Sequence, residues 1–377
     1  MSGYFLYHSI GMFPDKQQRI AAELNRFATA WGREDDGQWG YALEQQCKFL
    51  EGWRAILNAG EGSVAQAESV TSALYTILRG LPEATVRGGK VLIAADCFPS
   101  LHFLLAETIR RLGGELVTVP AAAGEAWVSD EQMLAAWDGN VRVAILTWVT
   151  STSSHRSDVA RLVAHGRQMG TLTGIDVTQG IGIARYDCQA IGADFTIGSS
   201  LKWLCGVSGA AVIHATQELI ARCTPELRGW FSQQNPFSWD LDAFEFAPDA
   251  RRFGNGTPSV LPAIGSLPGL DFVRDTGLEA LAADNAAKGA ELADWIAGSG
   301  LRLLSPADAA QRGGSLMVEL PDSMDATEVV NSLRAQALHT DARGRVLRLS
   351  PGIVTGMEEV TRLTECLSSM LGQKAEV

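Results

Sequence analysis

Short apolar runs alternate with amphipathic stretches through the first two thirds of the chain. After an aromatic and apolar start at 3–13, Pro14 opens a helical pattern that lasts to Trp31. A charged, glycine-containing loop at 32–40 leads to a second amphipathic run at 41–57. From there the periodicity predicts helices over 69–78, 101–112, 130–137 and 159–169, where apolar residues recur every three to four positions. Between and after them lie short, β-branched-rich runs at 91–95, 115–120, 141–149, 171–176, 194–198 and 210–214. Strands this apolar are buried on both faces, and strand–helix alternation at this spacing predicts a mostly parallel sheet covered on both sides.

After about residue 270 the pattern changes. A long alanine-rich helix is expected over 278–296, then strands at 302–304, 314–320 and 346–349, and helices at 326–336 and 357–371. The expectation is a three-layer α/β large domain over 55–270, with a smaller α+β domain formed by 271–377 together with 1–54. The last residues, 372–377, read as a disordered tail.

Composition narrows the possibilities. The 377 residues are 46% hydrophobic and 20% charged, an ordinary globular balance, with a net charge of −12. No basic cluster exists to meet nucleic acid or an anionic membrane, so neither is expected as a partner. No leader-like start and no run of about twenty apolar residues is found, and the six cysteines are scattered without a CxxC pair. Reduced thiols and a cytoplasmic location are the expectation.

The chemistry concentrates in 174–209. Asp176 ends one apolar run, and Lys202 follows another through Ser199 and Ser200. Lysine is scarce, and a lysine in an apolar, glycine-rich setting is costly unless it is neutral or covalently used. The alternative for Lys202 is a surface lysine snorkelling from a strand end. An aspartate at the C-terminal end of a sheet strand lies where open α/β sheets place ligand groups. It could cap a helix, bind a metal or hold a protonated ring nitrogen; no His or Cys cluster supports a metal. An amine and a carboxylate at two strand ends are what pyridoxal phosphate requires: the amine to bond the cofactor, the carboxylate to keep its pyridine nitrogen protonated.

Several stretches then resemble one family. DVTQGIG at 176–182, SSLKW at 199–203, GNGTPS at 254–259 and RGRVLRLSP at 343–351 are similar to motifs of the class V aminotransferase family of fold type I pyridoxal-phosphate enzymes. YHSIGMFP at 7–14, CFPS at 97–100 and LRGWF at 227–231 resemble its kynureninase branch. The resemblance covers nearly the whole chain. It implies that Lys202 holds the cofactor, Asp176 pairs with the pyridine nitrogen, Gln179 reaches the ring hydroxyl and Phe98 stacks on the ring. It implies phosphate binding by Val70 and Thr71 at a helix start, helped by Ser199 and Ser200. Trp230 and Thr257 would reach the phosphate of a neighbouring subunit in a homodimer with shared sites. Arg348 would clamp the substrate carboxylate, Arg343 being structural, and Thr150 would contact ring or substrate. For Phe98 the alternative is a plain core aromatic, for Thr71 an ordinary capped helix, for Trp230 interface packing, for Arg348 a solvated strand arginine and for Thr150 a solvated loop.

The chain departs from the kynureninase pattern at four positions. Leu101 stands for an aspartate, Leu201 for a tyrosine, Gln179 for a histidine and Thr257 for an asparagine. Gln179 instead resembles the desulfurase and aminotransferase side of the class. Cysteine desulfurase chemistry needs a thiolate shortly before the carboxylate arginine, and 335–348 contains no cysteine. The expected function is cleavage of a small amino acid at its β-carbon by a kynureninase-like hydrolase or lyase. A class V transaminase is the alternative, and a non-catalytic binding protein a further one, disfavoured because a binding module needs no Lys202–Asp176 pair.

Overall fold

The structure, a computed structural model, describes residues 3–375. The chain opens with a two-residue strand, β1 (Gly3–Tyr4). The large sheet follows: β2 (Val64–Ala67), β3 (Lys90–Ala94), β4 (Glu115–Val119), β5 (Val141–Thr147), β6 (Leu172–Asp176), β7 (Phe195–Ser199) and β8 (Ala211–Ala215). Their spatial order is β2-β8-β7-β6-β5-β3-β4. β8 runs antiparallel to both neighbours, and the other pairings are parallel.

Alternation along the strands divides the core into two layers. Leu92, Ala144, Leu146 and Ile175 face one cluster, which includes Trp53 and Trp148. Val91, Ile93, Val143, Ile145 and Ile197 face the other, with Leu74, Ile77, Leu101 and Leu105 from the covering helices. This is the expected three-layer arrangement. Chain direction across the sheet reverses between β3 and β5, and in open sheets ligands gather outside the carboxyl ends near such a reversal.

The second unit has β9 (Arg302–Leu303), β10 (Leu316–Glu319), β11 (Leu338–His339), β12 (Asp341–Arg343) and β13 (Val346–Leu349). Four of these form an antiparallel sheet in the order β12-β13-β10-β9. Helices Leu278–Ser299, Ala326–Ala335 and Met357–Ala375 enclose its core. The last of these extends into the stretch expected to be a disordered tail; Glu376 and Val377 lie outside the described residues. Among the described residues no helix is long and apolar enough to cross a membrane.

The N-terminal segment is divided between the two cores. β1 pairs with β11, and Phe5 is fully buried in the smaller core. Helices Lys16–Trp31 and Gln38–Leu57 instead pack on helix Val260–Thr276, and Phe49, Trp53 and Leu57 join the larger core.

Two elements lack a pattern in the sequence. β2 is four residues with a polar third position. Helix Val260–Thr276 carries Pro262 and Pro268 and is buried nearly all round, so no apolar stripe marks it. Its small residues have a use. A Cβ on Gly269 would lie 2.4 Å from the Leu204 carbonyl oxygen, and Ser266 Oγ accepts from the Val207 N–H at 3.1 Å. The helix therefore lies directly against the loop that follows Lys202.

Gly174, in mid-β6, is covered by Phe195: an added Cβ would sit 2.0–2.6 Å from the ring. Gly174→Ala should cost about 1–3 kcal/mol, read as a lower urea midpoint; an unchanged midpoint would mean that the ring moves aside freely.

Candidate active site

The chemically capable groups sit at the carboxyl ends of the parallel strands. Asp176 is the last residue of β6 and is buried. Its backbone oxygen accepts from the Trp148 N–H, and its Oδ1 accepts from the Thr178 N–H at 2.9 Å. Burial pushes its carboxyl above the usual range, against the pull of the Thr178 hydrogen bonds. One strand over, Lys202 stands three residues beyond β7, its Nζ donating to the Ser9 carbonyl at 2.8 Å. Burial holds the amine below the usual lysine value, and the Arg348 cation lowers it further.

Phe98 follows β3 at the start of helix Pro99–Arg111, with Pro99 at the first helical position, where its missing N–H is not needed. The ring is 45% exposed although Cys97 and Leu101 beside it are buried. A plain core aromatic would not present so much surface. After β2, Ser69 and Ser72 form a reciprocal cap: Ser69 Oγ accepts from the Ser72 N–H at 3.1 Å, and Ser72 Oγ from the Ser69 N–H at 2.9 Å. The N–H groups of Val70 and Thr71 belong to the first turn, which no helix can satisfy internally. Glu68 is exposed.

The remaining expected residues fall in varied settings. Ser199 Oγ accepts from the Leu201 N–H at 3.4 Å. Ser200 is fully buried, and its Oγ accepts from Trp53 Nε1 at 2.9 Å, tying helix Gln38–Leu57 to the lysine loop. Gln179 Nε2 donates to the His8 carbonyl at 3.0 Å. The Thr150 hydroxyl is engaged inside its own buried turn, 2.8 Å from Ser153 Oγ and accepting from the His155 N–H at 3.1 Å. Trp230 and Thr257 lie on two adjoining segments, joined by the Phe231 N–H donating to the Asn255 carbonyl at 3.3 Å. Among the described residues no hydrogen bond links either of them to Lys202 or Thr71. Arg348, on β13, donates to Asp341 on β12 through both Nε, at 2.8 Å, and Nη2. Arg343 is exposed.

The sequence reading did not single out the residues that join these parts. Residues 8–11 cross between the two units as a strap. The Gly11 N–H donates to the Leu201 carbonyl at 3.0 Å, and a Cβ on Gly11 would fall 1.8 Å from the Lys202 carbonyl oxygen. Lys16 Nζ reaches the carbonyls of Gly11 at 2.6 Å and Gly206 at 3.2 Å. The His8 and Ser9 carbonyls receive Gln179 and Lys202, and His8 Nε2 lies 3.0 Å from Asp341 Oδ1. Gly11 was the available signal, since only glycine fits so close an approach; nothing local marked His8 or Asp341. A hollow of about 1110 Å³ between helices Gln38–Leu57 and Val260–Thr276 includes none of these groups. The chemistry, not the size of a hollow, identifies the site.

Comparison with known proteins agrees with this geometry. The model of the Aminotransferase class-V family matches residues 38–359. The chain belongs to the class V aminotransferase family. It is 29% identical over 288 residues to a kynureninase of Deinococcus radiodurans, covering 73% of this chain and 66% of that protein. It is 27% identical to isopenicillin N epimerase of Streptomyces clavuligerus, covering 82% and 80%. In structure it is similar to an apo cysteine desulfurase from Thermococcus onnurineus NA1, with a TM-score of 0.87 at 15% identity, over 98% of this chain and 94% of that one.

This class V chain is therefore a pyridoxal-phosphate-dependent enzyme of fold type I. Its own residues fit that cofactor. A buried carboxylate calls for a cationic partner, a half-exposed aromatic offers a ring face, and a helix start offers two free N–H groups. A buried amine of lowered pKa gives up its proton more readily than an ordinary lysine. Among the described residues no cluster of three or more His, Cys, Asp or Glu could hold a metal ion.

The lowered Lys202 pKa carries a stability consequence. The unfolded chain binds this proton more tightly than the folded chain, so the group opposes folding at neutral pH. That penalty fades only as pH rises through the folded and towards the unfolded value. Lys202→Met should leave the cofactor-free protein at least as stable as wild type at pH 7, raising Tm by roughly 1–3 °C, with the gain shrinking towards pH 10. A clear loss of Tm would show that the Ser9 hydrogen bond outweighs the buried charge.

Proposed function

We propose that this class V enzyme cleaves a small amino acid at its β-carbon, in the manner of a kynureninase-like hydrolase or lyase. The observation that carries the reading is the lowering of the Lys202 amine, first by burial and then by the Arg348 cation. It supports a proton carrier and a carboxylate holder serving one substrate. Pyridoxal phosphate, when bound, would supply an electron sink for the substrate carbanion. Lys202 would hold it and would carry the α-proton. Asp176 would pair, ionised, with its pyridine nitrogen and keep that nitrogen protonated. Phe98 would cover one ring face, and Gln179 and Thr150 would serve the ring's polar groups. The Val70 and Thr71 N–H groups, with Ser199, would receive the phosphate, whereas the Ser200 hydroxyl is fully buried and engaged by Trp53. Trp230 and Thr257 would complete the phosphate site of a second copy, so the active form is a homodimer. Arg348 fixes the substrate carboxylate.

The sequence similarity to kynureninase favours β-carbon cleavage. A transaminase is the second reading, and Gln179 favours it. It uses the same groups, with Lys202 moving the proton from Cα to the cofactor. Desulfurase chemistry is disfavoured despite the similar structure. Cys205 is buried and pushed up to about 12, chiefly by that burial, and Cys97 is pushed up to about 12 in the same way. Cys366 lies on the last helix and donates to Gln336 Oε1.

Borohydride treatment of the loaded enzyme should attach the cofactor to Lys202, and single turnover with candidate amino acids separates the two reactions. Release of alanine, or of pyruvate with ammonia, supports β-cleavage, whereas stoichiometric pyridoxamine phosphate identifies a transaminase. Arg348→Ala should raise KM about 30–100-fold for carboxylate substrates, as expected for a lost charge-assisted pair, and leave the cofactor absorbance intact. Collapse of the absorbance would place Arg348 in cofactor binding instead.

A further inference from the structure

Arg348 is not free in its strand. Its Nε and Nη2 are both held by Asp341, leaving the Nη1 end of the guanidinium open. Its side chain is only 13% exposed. Asp341 is in turn held by His8, whose ring is buried, with Nε2 3.0 Å from Asp341 Oδ1. The His8–Asp341 approach is a short charge contact rather than an aligned hydrogen bond. The other ring nitrogen, Nδ1, shares a hydrogen bond with Ser350 Oγ at 2.7 Å. Ser350 Oγ is 2.6 Å from Ser315 Oγ. A chain of polar contacts thus runs from Ser315 through Ser350 and His8 to Asp341, and Arg348 donates to the same carboxylate. Together His8 and Arg348 hold the Asp341 carboxyl below the usual range although its partial burial works the other way.

We propose that His8 and Asp341 are positioning residues for the substrate carboxylate, which fix the Arg348 guanidinium so that only its Nη1 end meets the ligand. This rests on the reading of Arg348 as the carboxylate holder. The placement of His8 makes the device part of the active site rather than of the smaller core alone. Its carbonyl accepts from Gln179, and the next carbonyl, of Ser9, accepts from Lys202. One dipeptide thus sets the guanidinium with its ring and receives the two cofactor-side groups with its backbone. A carboxylate arriving end-on completes a guanidinium already flanked by one anion, so the site selects a single carboxylate at that point.

The test is spectral titration of the cofactor-loaded enzyme with two probes, L-alanine and ethylamine, which differ by the carboxylate. Asp341→Asn and His8→Ala should each weaken alanine about 10-fold, roughly 1.4 kcal/mol, while ethylamine stays within about twofold. His8→Gln, whose amide can donate to Asp341, should recover most of the loss. Ser350→Ala, which releases the ring and the Ser315 hydroxyl, should weaken alanine about threefold. Equal weakening of both probes, no weakening of alanine, or a His8→Gln variant no better than His8→Ala would each overturn the inference. Arg348→Ala separates the two levels. If it leaves alanine binding unchanged, the carboxylate role of Arg348 itself fails; if it weakens alanine while Asp341→Asn does not, only the positioning role fails.

Discussion

Burial of two ionisable groups at neighbouring strand ends is the constraint on which the site depends. Asp176 and Lys202 are both withdrawn from water, and each is pushed towards its neutral form. They do not neutralise each other: Lys202 turns to the Ser9 carbonyl and Asp176 to the Thr178 N–H. A structural ion pair would have brought them together, as Lys288 and Asp284 are brought together at 2.5 Å in the smaller unit. Ionisable groups held towards their neutral forms at one end of a sheet mark a candidate functional site. A cofactor with a basic ring nitrogen and an aldehyde resolves both at once.

Holding that unfavourable arrangement requires close packing around the lysine loop. Gly11 approaches from the N-terminal strap, Gly269 from helix Val260–Thr276, and Ser200 is tied to Trp53. Trp203, next to Lys202, is buried and stacks on Tyr7 with centroids 5.3 Å apart. Each contact comes from a different part of the chain, so the loop is fixed by the tertiary structure rather than by its own turn. Groups held this way lose little freedom when a ligand binds, which is the advantage of placing them on rigid elements.

The same dependence on distant partners separates what could be read in the sequence from what could not. β3, β5, β6 and β7 are short, apolar and bounded by polar turns, and their residues announce them. Asp176 and Lys202 stand out because a charged residue at the end of such a strand needs a reason. Helix Val260–Thr276 gives no such signal. Its prolines and glycines oppose a helix locally, and only contact with the lysine loop explains them. Arg348 could be picked from its motif, but its partner Asp341 lies on another strand and His8 near the other end of the chain. Hydrogen bonds between segments so remote leave no periodicity, and a buried histidine reads as core until its neighbours are known.

Similarity of fold and similarity of reaction diverge in this molecule. Its backbone follows that of a cysteine desulfurase closely at 15% identity, as one fold can carry different sites. What a desulfurase additionally needs is a thiolate that reaches the substrate sulfur; here Cys97, Cys188, Cys205 and Cys223 are buried, Cys366 donates to Gln336, and Cys47 is exposed on helix Gln38–Leu57, away from the segment before Arg348. Position 201 makes the same point on a smaller scale. Where kynureninases have a tyrosine hydroxyl, Leu201 offers only its carbonyl, and that carbonyl holds the Gly11 N–H. The residue has moved from side-chain chemistry to backbone architecture, closing the strap over Lys202. In this chain the strap meets Lys202 directly through the Ser9 carbonyl and Arg348 through His8 and Asp341.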